Sequence, residues 1–337
     1  MNFLRKILFP LAFLYWLVTF IRNWLYDKGI FKSFSFDIPI IAVGNLSVGG
    51  TGKTPQIEYL IRLLSDNYKV AVLSRGYKRT TKGFILADEN ATASSIGDEP
   101  FQFYSKFPNI QLAVDANRKN GIENLLQLPN KPDVILLDDA FQHRKVKAGF
   151  YILLTAYDDL FCDDYILPFG NLREPSSGKK RADMIIVTKC PKDLSEIAQQ
   201  KIREKLKVKQ QVFFTTIQYD DFVFGNDSQL LVSEIQSESK VLVAGIAKPK
   251  LFFDFLKSEK DDTLVFPDHH HFSKQDCEQI LAKANGRKII TTEKDFVRLN
   301  GLLPKSQLFY LPIKSAFLNT NIDKTIEDYV GQSARNS

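Results

Sequence analysis

One segment limits the possible folds more than any other: a charge-free apolar run followed by a glycine-rich stretch and a Gly-Lys-Thr triplet. The run is Ile40–Val43, and the stretch that follows, GNLSVGGTGKTP, ends at Pro55. This order predicts a strand, a glycine-rich loop and a helix that begins near Lys53, the arrangement of a phosphate-binding loop. Ser47 stands where the usual pattern has its first glycine. The alternative is a glycine-rich turn before a helix, without a ligand.

The residue types in this segment suit a nucleoside triphosphate. Small residues let backbone N–H groups close around a phosphate. Lys53 is predicted to bridge the β- and γ-phosphates and to act in catalysis by compensating charge, and Thr54 is predicted to offer its hydroxyl to Mg²⁺. The predicted nucleotide-binding residues are Ser47, Val48, Gly49, Gly50, Thr51, Gly52, Lys53 and Thr54.

A second apolar run, Val134–Leu137, ends in two aspartates, Asp138 and Asp139. A carboxylate at the end of a buried strand is the group that commonly holds Mg²⁺ beside a bound triphosphate. Asp138 is therefore predicted to bind metal together with Thr54, and Asp139 is a further candidate. The alternative for these aspartates is a helix N-cap.

A third strand end carries Thr188-Lys189-Cys190-Pro191. Guanine-specific phosphate-loop proteins often have N/T-K-x-D at this place, where the aspartate contacts the guanine base. Pro191 replaces that aspartate here, so the sequence predicts ATP rather than GTP.

Short apolar runs and helical segments alternate along the body of the chain. Continuous apolar runs with little alternation are typical of buried parallel strands, and strand–helix alternation predicts an α/β fold. The predicted fold is a P-loop α/β/α sandwich with a mostly parallel sheet, a smaller C-terminal α/β domain and an N-terminal membrane helix. A polar stretch rich in Gly, Asn, Asp and Ser marks the junction. The predicted divisions are 1–30 (membrane-associated helix), 31–220 (kinase domain), 221–240 (linker) and 241–330 (C-terminal domain).

The N-terminus is predicted to be a membrane element. Ile7–Ile21 is a charge-free run of 15 residues, and both tryptophans of the chain, Trp16 and Trp24, lie in or just after it. Such a helix measures roughly 22 Å, against roughly 30 Å for the hydrocarbon core, so it is expected either to insert halfway or to span once with its flanks. A signal peptide is an alternative, but no small-residue cleavage site follows. A buried core helix is the other.

Charge and cysteine content narrow the classes of partner. The net charge is +6, of which residues 1–32 supply +4, so the body of the chain is nearly neutral. Nucleic acid is therefore not expected as a partner, because nucleic-acid-binding domains usually present a basic face. Cys162, Cys190 and Cys277 are far apart in sequence and are predicted to be reduced, buried thiols of a cytosolic body.

The four histidines all lie close to acidic residues. They are His143, which follows the Asp138-Asp139 pair, and the run His269-His270-His271, which follows Asp268. A three-histidine run can be a metal-binding tract. No second cluster of ligands at metal spacing accompanies it, so a His–carboxylate pair that handles a proton is the preferred interpretation.

Seven ordered motifs together resemble the tetraacyldisaccharide 4′-kinases, the membrane-associated lipid A kinases of Gram-negative bacteria. The similarity covers nearly the whole chain, with one departure: Ala140 occupies the third position of Asp-Asp-x-Phe-Gln-His, where glycine is common. The motifs are residues 47–55, 74–77, 97–100, 138–144, 167–175, 268–270 and 291–295.

The resemblance implies ATP- and Mg²⁺-dependent phosphoryl transfer to the 4′-hydroxyl of a tetraacyldisaccharide 1-phosphate in lipid A biosynthesis. It implies a lipid substrate, a site at the cytoplasmic face of the inner membrane and no obligate protein partner. Asp98 is the candidate base, and the resemblance pairs His269 with it. A helix cap is the alternative role of Asp98 or Glu99, and surface salt bridges are the alternative for the arginines. The predicted substrate-binding residues are Arg75, Arg118, Gln142, His143, Arg173 and Glu174.

Two other classes of function remain open from the residues alone. One is a P-loop NTPase that delivers metal to a partner and stores it on His269–His271. The other is a membrane-bound scaffold whose loop only binds nucleotide. The dense charged turns Gly97-Asp98-Glu99-Pro100 and Leu172-Arg173-Glu174-Pro175 favour the kinase.

Overall fold

The computed structural model describes residues 8–268 and 270–335, which fold around two sheets. The strands, in chain order, are β1 Ile40–Asn45, β2 Val70–Ser74, β3 Ile85–Leu86, β4 Gln111–Val114, β5 Val134–Asp138, β6 Phe150–Ala156, β7 Met184–Thr188, β8 Gln211–Tyr219, β9 Phe222–Phe224, β10 Gln229–Leu231, β11 Val241–Ala244, β12 Asp262–Val265, β13 Ile289–Thr292, β14 Leu308–Leu311 and β15 Ile313–Phe317. The helices are α1 Phe9–Asp27, α2 Lys53–Leu64, α3 Ala93–Ile96, α4 Asp98–Lys106, α5 Arg118–Leu126, α6 Glu196–Leu206, α7 Val232–Ser237, α8 Lys250–Leu256, α9 Lys274–Ala284, α10 Glu293–Leu299 and α11 Asp323–Arg335, with a 3₁₀ turn at Ser176–Arg181.

The first sheet has nine strands in the order β15-β8-β7-β6-β1-β5-β2-β4-β3. The seven from β8 to β4 are parallel, and the two edge strands are antiparallel to their neighbours. Helices α2, α4 and α11 pack on one face, and α5 and α6 pack on the other. Helices cover both faces, so the central strands are apolar on both sides, which is why unbroken apolar runs identified them.

The second sheet has six strands in the order β10-β9-β14-β13-β11-β12. Its parallel half, β14 to β12, packs α9 on one face, while α7 and α8 pack on the other. The predicted mixed α/β architecture, with a large mostly parallel sheet and a smaller α/β domain, is confirmed.

The sheets divide the chain at points that composition did not suggest. Strands β9 and β10 fall in the predicted linker, yet both pair within the second sheet. Strand β15 and helix α11 follow that sheet in the chain but return to the first, where β15 pairs with β8 and α11 completes the apolar core. The chain therefore crosses between the two domains twice.

Helix α1 lies against the first domain and leaves much of its apolar surface uncovered. Ala12 is buried, whereas Phe9, Phe13, Leu14 and Val18 each remain more than half exposed. Of the helices within the described ranges, none combines the length and the apolar character needed to cross a membrane. Residues 1–7 of the predicted membrane element lie outside these ranges.

No disulfide joins the three cysteines. Cys190 and Cys277 are buried as predicted, whereas Cys162 is only half-buried.

Candidate active site

The glycine-rich loop connects the carboxyl end of β1 to the amino end of α2, at the centre of the first sheet. Gly49 and Gly52 have φ values of +114° and +84°, a region that L-residues with a Cβ rarely adopt. These two positions explain why the loop requires glycine. Ser47, which replaces the usual first glycine, forms a bridge with Leu172 instead, so the loop is held from one side by the 167–175 segment.

Lys53, the first residue of α2, points toward the acidic end of β5. Its Nζ lies 3.3 Å from Asn45 Oδ1 and 3.6 Å from Asp139 Oδ1. Thr54, which follows it, is buried. The lysine, the hydroxyl and the strand-end aspartates, predicted from two separate motifs, are thus brought to one edge of the parallel sheet.

Asp138 is a buried carboxylate with an unsatisfied oxygen. It is 2% exposed; Ser74 Oγ donates to its Oδ2 at 2.9 Å, and its Oδ1 has no hydrogen-bond partner among the described residues. Burial, with added repulsion from Glu99 and Asp139, raises the pKa of Asp138 to about 6. A buried, anionic oxygen without a partner fits a hard divalent cation, so this site suits Mg²⁺.

Asp139 is held in a left-handed backbone conformation, with φ +46°. Arg173 Nη1 donates to both of its carboxylate oxygens at 2.9 Å. Burial alone would raise the pKa of Asp139, but attraction from Lys53 and Arg173 outweighs it and lowers that pKa. Arg173 was predicted to bind substrate, which stays a prediction; in the structure its guanidinium fixes the second aspartate.

Arg118 is a buried guanidinium behind the same aspartates. It is 2% exposed, and it donates to the carbonyl oxygens of Asp115 and Asp138, each at 2.7 Å. Burial lowers its pKa to about 10, so it remains cationic at neutral pH. Arg75 is exposed nearby. Burial and these two arginines lower the pKa of His143 to about 4, so His143 is neutral at physiological pH.

Glu174 is a buried carboxylate that joins three parts of the chain. Its Oε1 accepts hydrogen bonds from Gln142 Nε2 at 3.0 Å and Arg181 Nη2 at 2.8 Å, and its Oε2 accepts one from Asn23 Nδ2 at 2.8 Å. Gln142 also donates to the carbonyl oxygen of Asn45, the last residue of β1. Gln142 and Glu174, both predicted as substrate residues, therefore connect helix α1 to the phosphate-binding loop.

The second domain reaches the site through ion pairs between α4 and α10. Arg298 Nε lies 2.8 Å from Asp98 Oδ2, and Lys294 Nζ lies 2.5 Å from Glu99 Oε1. His269, the predicted partner of Asp98, lies outside the described residues. The pairing of Asp98 with His269 therefore stays a prediction.

The neighbouring histidine has a local partner. His270 Nε2 lies 3.0 Å from Asp276 Oδ2, and its ring stacks on Phe266. In the ranges 8–268 and 270–335, no group of three or more His, Cys, Asp or Glu side chains is placed to hold a metal ion. The described residues thus give no support to a histidine metal store.

Several residues at the site were not assigned a role from the sequence. Lys189 Nζ donates to the carbonyl oxygen of Gly50 at 2.5 Å, and Thr188 Oγ1 donates to that of Thr51 at 2.8 Å. Arg298 and Asn23 were also missed. The Thr-Lys dipeptide at a strand end was a usable signal for the first pair, whereas nothing local to Asn23 or Arg298 indicates its distant partner.

Known proteins match this chain along its whole length. A sequence model of the family described as tetraacyldisaccharide-1-P 4′-kinase (LpxK) matches residues 4–330. The chain is 66% identical over 337 residues to a Flavobacterium johnsoniae protein named tetraacyldisaccharide 4′-kinase, with 99% of each chain covered. A Bacteroides thetaiotaomicron protein of the same name is 46% identical, with 99% of this chain and 95% of that one covered.

The chain belongs to the tetraacyldisaccharide 4′-kinase family. The crystal structure of LpxK from Aquifex aeolicus, in an "apo" form in complex with ATP, is 30% identical with a TM-score of 0.78 and covers 98% of this chain and 99% of that one. The predicted family, the α/β fold and the assignment as an ATP-dependent lipid kinase of lipid A biosynthesis are confirmed by these matches. The metal-delivery and scaffold classes are not needed to explain the chain.

Proposed function

We propose that this chain transfers the γ-phosphoryl group of ATP to the 4′-hydroxyl of a tetraacyldisaccharide 1-phosphate, with the residues described above in defined roles. The observation that carries this proposal is the convergence of Lys53, Thr54 and Asp138 at one edge of the parallel sheet. Phosphoryl transfer proceeds through a loose transition state, so that positioning and charge compensation matter more than covalent chemistry. Lys53 supplies a cation at the β- and γ-phosphates.

Asp138 and Thr54 are the residues that would hold Mg²⁺, and Asp139 supports them from its position between Lys53 and Arg173. When bound, Mg²⁺ supplies charge neutralisation at the triphosphate. The unpartnered Oδ1 of Asp138 supports this role, because leaving a buried carboxylate oxygen unsatisfied is unfavourable without a cation.

Asp98 is the proposed base for the acceptor hydroxyl. It is the first residue of α4 and lies beside Glu99, which is close enough to the strand-end aspartates to raise the pKa of Asp138. We propose that His269 orients its carboxylate during the reaction. Arg298 holds Asp98 from the second domain, and we propose that this ion pair positions the carboxylate that receives the hydroxyl proton.

Arg75 and His143 are proposed to meet the acceptor sugar or its phosphate. Arg75 is exposed at the end of β2, and a guanidinium is well suited to bind phosphate oxygens in pairs. His143 is neutral, so it contributes a hydrogen bond rather than a charge. Arg118, whose Nη1 and Nη2 donate to backbone carbonyls, is proposed to add positive electrostatic potential behind the two aspartates.

Helix α1 is proposed to rest on the cytoplasmic face of the inner membrane and to bring the lipid substrate to the site. Its uncovered apolar side chains would leave water on insertion, which is favourable by about 25 cal/mol for each Å² buried. Its other side contacts the loops at residues 142–144 and 173–174, so the membrane surface and the site are neighbours.

The direct test is a transfer assay with the purified full chain, γ-labelled ATP, Mg²⁺ and tetraacyldisaccharide 1-phosphate in mixed micelles. Label is expected in the lipid at the 4′-position, and Lys53→Ala is expected to reduce the rate by at least about a hundredfold, as for the loss of other transition-state charge partners. Lys305→Ala, on an exposed loop before β14, is the matched control and should be unchanged. Normal transfer by Lys53→Ala would refute the loop assignment, and label released only as inorganic phosphate would favour an NTPase.

A further inference from the structure

Two adjacent side chains at the end of β7 form hydrogen bonds to the backbone of the phosphate-binding loop. Thr188 Oγ1 donates to the carbonyl oxygen of Thr51 at 2.8 Å, and Lys189 Nζ donates to the carbonyl oxygen of Gly50 at 2.5 Å. These contacts join residues 137 and 139 positions apart in sequence. Two consecutive peptide groups of the loop are therefore held from outside the loop.

A hydrogen bond that fixes a carbonyl group also fixes the orientation of the N–H in the same peptide group. The peptide group is planar and trans, so its C=O and its N–H point in opposite directions. With the Thr51 carbonyl bound to Thr188, the N–H of Gly52 is directed away from β7. With the Gly50 carbonyl bound to Lys189, the N–H of Thr51 is also fixed, and in this structure it closes a tight turn onto the Gly49 carbonyl at 3.1 Å. Backbone N–H groups are what such a loop offers to phosphate.

The backbone of Lys189, whose side chain makes one of these contacts, has an unfavourable conformation. Lys189 has φ +58°, a left-handed conformation that is unfavourable for a residue with a side chain. Such strain is retained where the surrounding structure requires it. A Cβ on Gly52 would lie 3.5 Å from Thr188, an ordinary van der Waals contact, so the loop and the end of β7 are direct neighbours.

Lys189 sits in an excess of positive charge. Burial lowers the pKa of Lys189, and repulsion from Lys248 and Lys294 lowers it further; attraction from Asp158 opposes this, and Lys53 adds a weaker repulsion. These lysines come from both domains. Lys53 and Lys294 each lie beside a carboxylate, Asp139 and Glu99, and a polyanion such as a triphosphate would add negative charge near Lys189.

We propose that Lys189, with Thr188, is a positioning residue of the nucleotide site: it holds the phosphate-binding loop in the shape that receives the triphosphate. This inference rests on the proposed role of residues 47–54 as the phosphate loop. It predicts an effect on ATP that is separate from any effect on the lipid substrate, because both carbonyls belong to the loop.

The test compares Lys189→Met, Lys189→Arg and Lys192→Met in the full-length protein. ATP affinity is measured by equilibrium binding, and KM is measured for both substrates. A charge-assisted hydrogen bond is worth about 1.5–3 kcal/mol, so Lys189→Met is expected to weaken ATP binding by at least about tenfold. The KM of Lys189→Met for ATP should rise by a similar factor. Its KM for the lipid should stay within about twofold, because both carbonyls belong to the phosphate-binding loop. Lys189→Arg should recover much of the loss. Lys192→Met, four residues after the end of β7 and exposed, removes an equal charge and should bind ATP normally.

Three outcomes would overturn the proposal: ATP binding by Lys189→Met equal to that of the parent, an equal loss in Lys192→Met, or equal changes in both KM values. If Lys189→Met does not fold, Thr188→Val keeps the side-chain shape, removes the other hydrogen bond and should raise the KM for ATP alone. An unchanged KM for ATP in Thr188→Val would then contradict the positioning role of Thr188 and Lys189. Lys53→Ala distinguishes the nucleotide-binding role of residues 47–54 from the positioning role of Lys189. Normal ATP binding by Lys53→Ala would refute the first. Weakened ATP binding by Lys53→Ala together with normal binding by Lys189→Met would refute only the second.

Discussion

Arg298 Nε lies 2.8 Å from Asp98 Oδ2, which joins the proposed base in the first domain to a cation in the second. Arg298 Nη1 also lies 3.3 Å from Asp295 Oδ1, a fully buried carboxylate on the same helix. A second carboxylate therefore fixes the guanidinium that contacts Asp98. The position of the base relative to the triphosphate therefore depends on how the two domains meet.

Arg298→Leu is expected to lower kcat by about tenfold or more, because one partner of a hydrogen-bonded charge pair is removed from the site. Asp98→Asn should lower kcat more strongly, and the double variant should be little worse than Asp98→Asn, since both act through one carboxylate. Initial rates at saturating ATP and lipid measure these effects.

Arg287→Leu is the matched control. Arg287 is also a second-domain arginine, and its Nη2 lies 2.6 Å from Asp262 Oδ2, away from the α4–α10 interface. A similar loss of kcat in Arg287→Leu would show that general damage to the domain, rather than the pair with Asp98, causes the effect. Fully additive losses in the double variant would mean that Arg298 acts elsewhere.

The sequence predicted the parts of the fold that local patterns determine. The central strands are buried on both faces, so their apolar runs were plain, and Gly49, Gly52 and Lys53 mark the loop because its backbone demands glycine. The sequence did not predict strand β9, whose three residues lie in a polar stretch, or the return of β15 to the first sheet. Both depend on pairing with distant strands, which leaves no periodic signal of its own.

For the candidate site too, the sequence predicted the features that local patterns determine. The proximity of Lys53 and Asp138 could be predicted because each comes after an apolar run in the sequence, and parallel strands bring their carboxyl ends together. The contacts of Arg173 and Glu174 within the protein could not be predicted, because an arginine that binds Asp139 and one that binds a substrate look alike in sequence. Asn23 depends on where helix α1 docks, which no local pattern indicates.

Asn23 connects helix α1 to a buried carboxylate of the candidate site. Asn23→Ala removes the hydrogen bond to Glu174 Oε2 and leaves a buried carboxylate oxygen less satisfied, which typically costs about 1–3 kcal/mol. We expect lower kcat and a higher KM for the lipid, by about threefold to thirtyfold in their ratio, with ATP affinity retained. Kinetics with each substrate varied in turn measure this.

Thr19→Ala is the control on the same helix, because the Thr19 hydroxyl bonds only to helix carbonyls in the contacts of the described chain. It should leave both substrates unaffected. If Asn23→Ala shows parent kinetics while deletion of residues 1–27 abolishes activity, the helix acts through the membrane alone, and the contact with Glu174 has no catalytic consequence.

Asp138→Asn is expected to separate activity from stability. The folded-state pKa of Asp138, about 6, is above its ordinary value of 3.8. Its contribution to stability is thus fully present below about pH 3.8 and is lost as pH rises through about 6, where the buried group ionises. In the absence of Mg²⁺ and nucleotide, the neutral variant should therefore have the higher free energy of unfolding at pH 7.5, yet transfer should fall to background. Denaturant titrations and the transfer assay check the two halves. Equal stability at pH 7.5, or retained transfer, would contradict this role.

The buried cluster between the domains should give the protein a second pH dependence. Lys106 Nζ lies 2.7 Å from Glu58 Oε2 on α2 and 2.5 Å from Glu293 Oε1 on α10, so two carboxylates share one ammonium. Burial and repulsion from Glu58 raise the pKa of Glu293 to about 7, against attraction from Lys106 and a hydrogen bond from the Ile313 amide.

Because the folded-state pKa of Glu293 is above its ordinary value of 4.5, its contribution to stability is complete below about pH 4.5 and is lost as pH rises through about 7. Glu293→Gln cannot ionise, so its free energy of unfolding should fall less than that of the parent between pH 5 and pH 8, measured by urea titration in mild detergent. Glu238→Gln, whose exposed carboxylate pairs with Lys288, should keep the parental slope. The same slope in the parent and Glu293→Gln would mean that Lys106 keeps Glu293 ionised throughout this range.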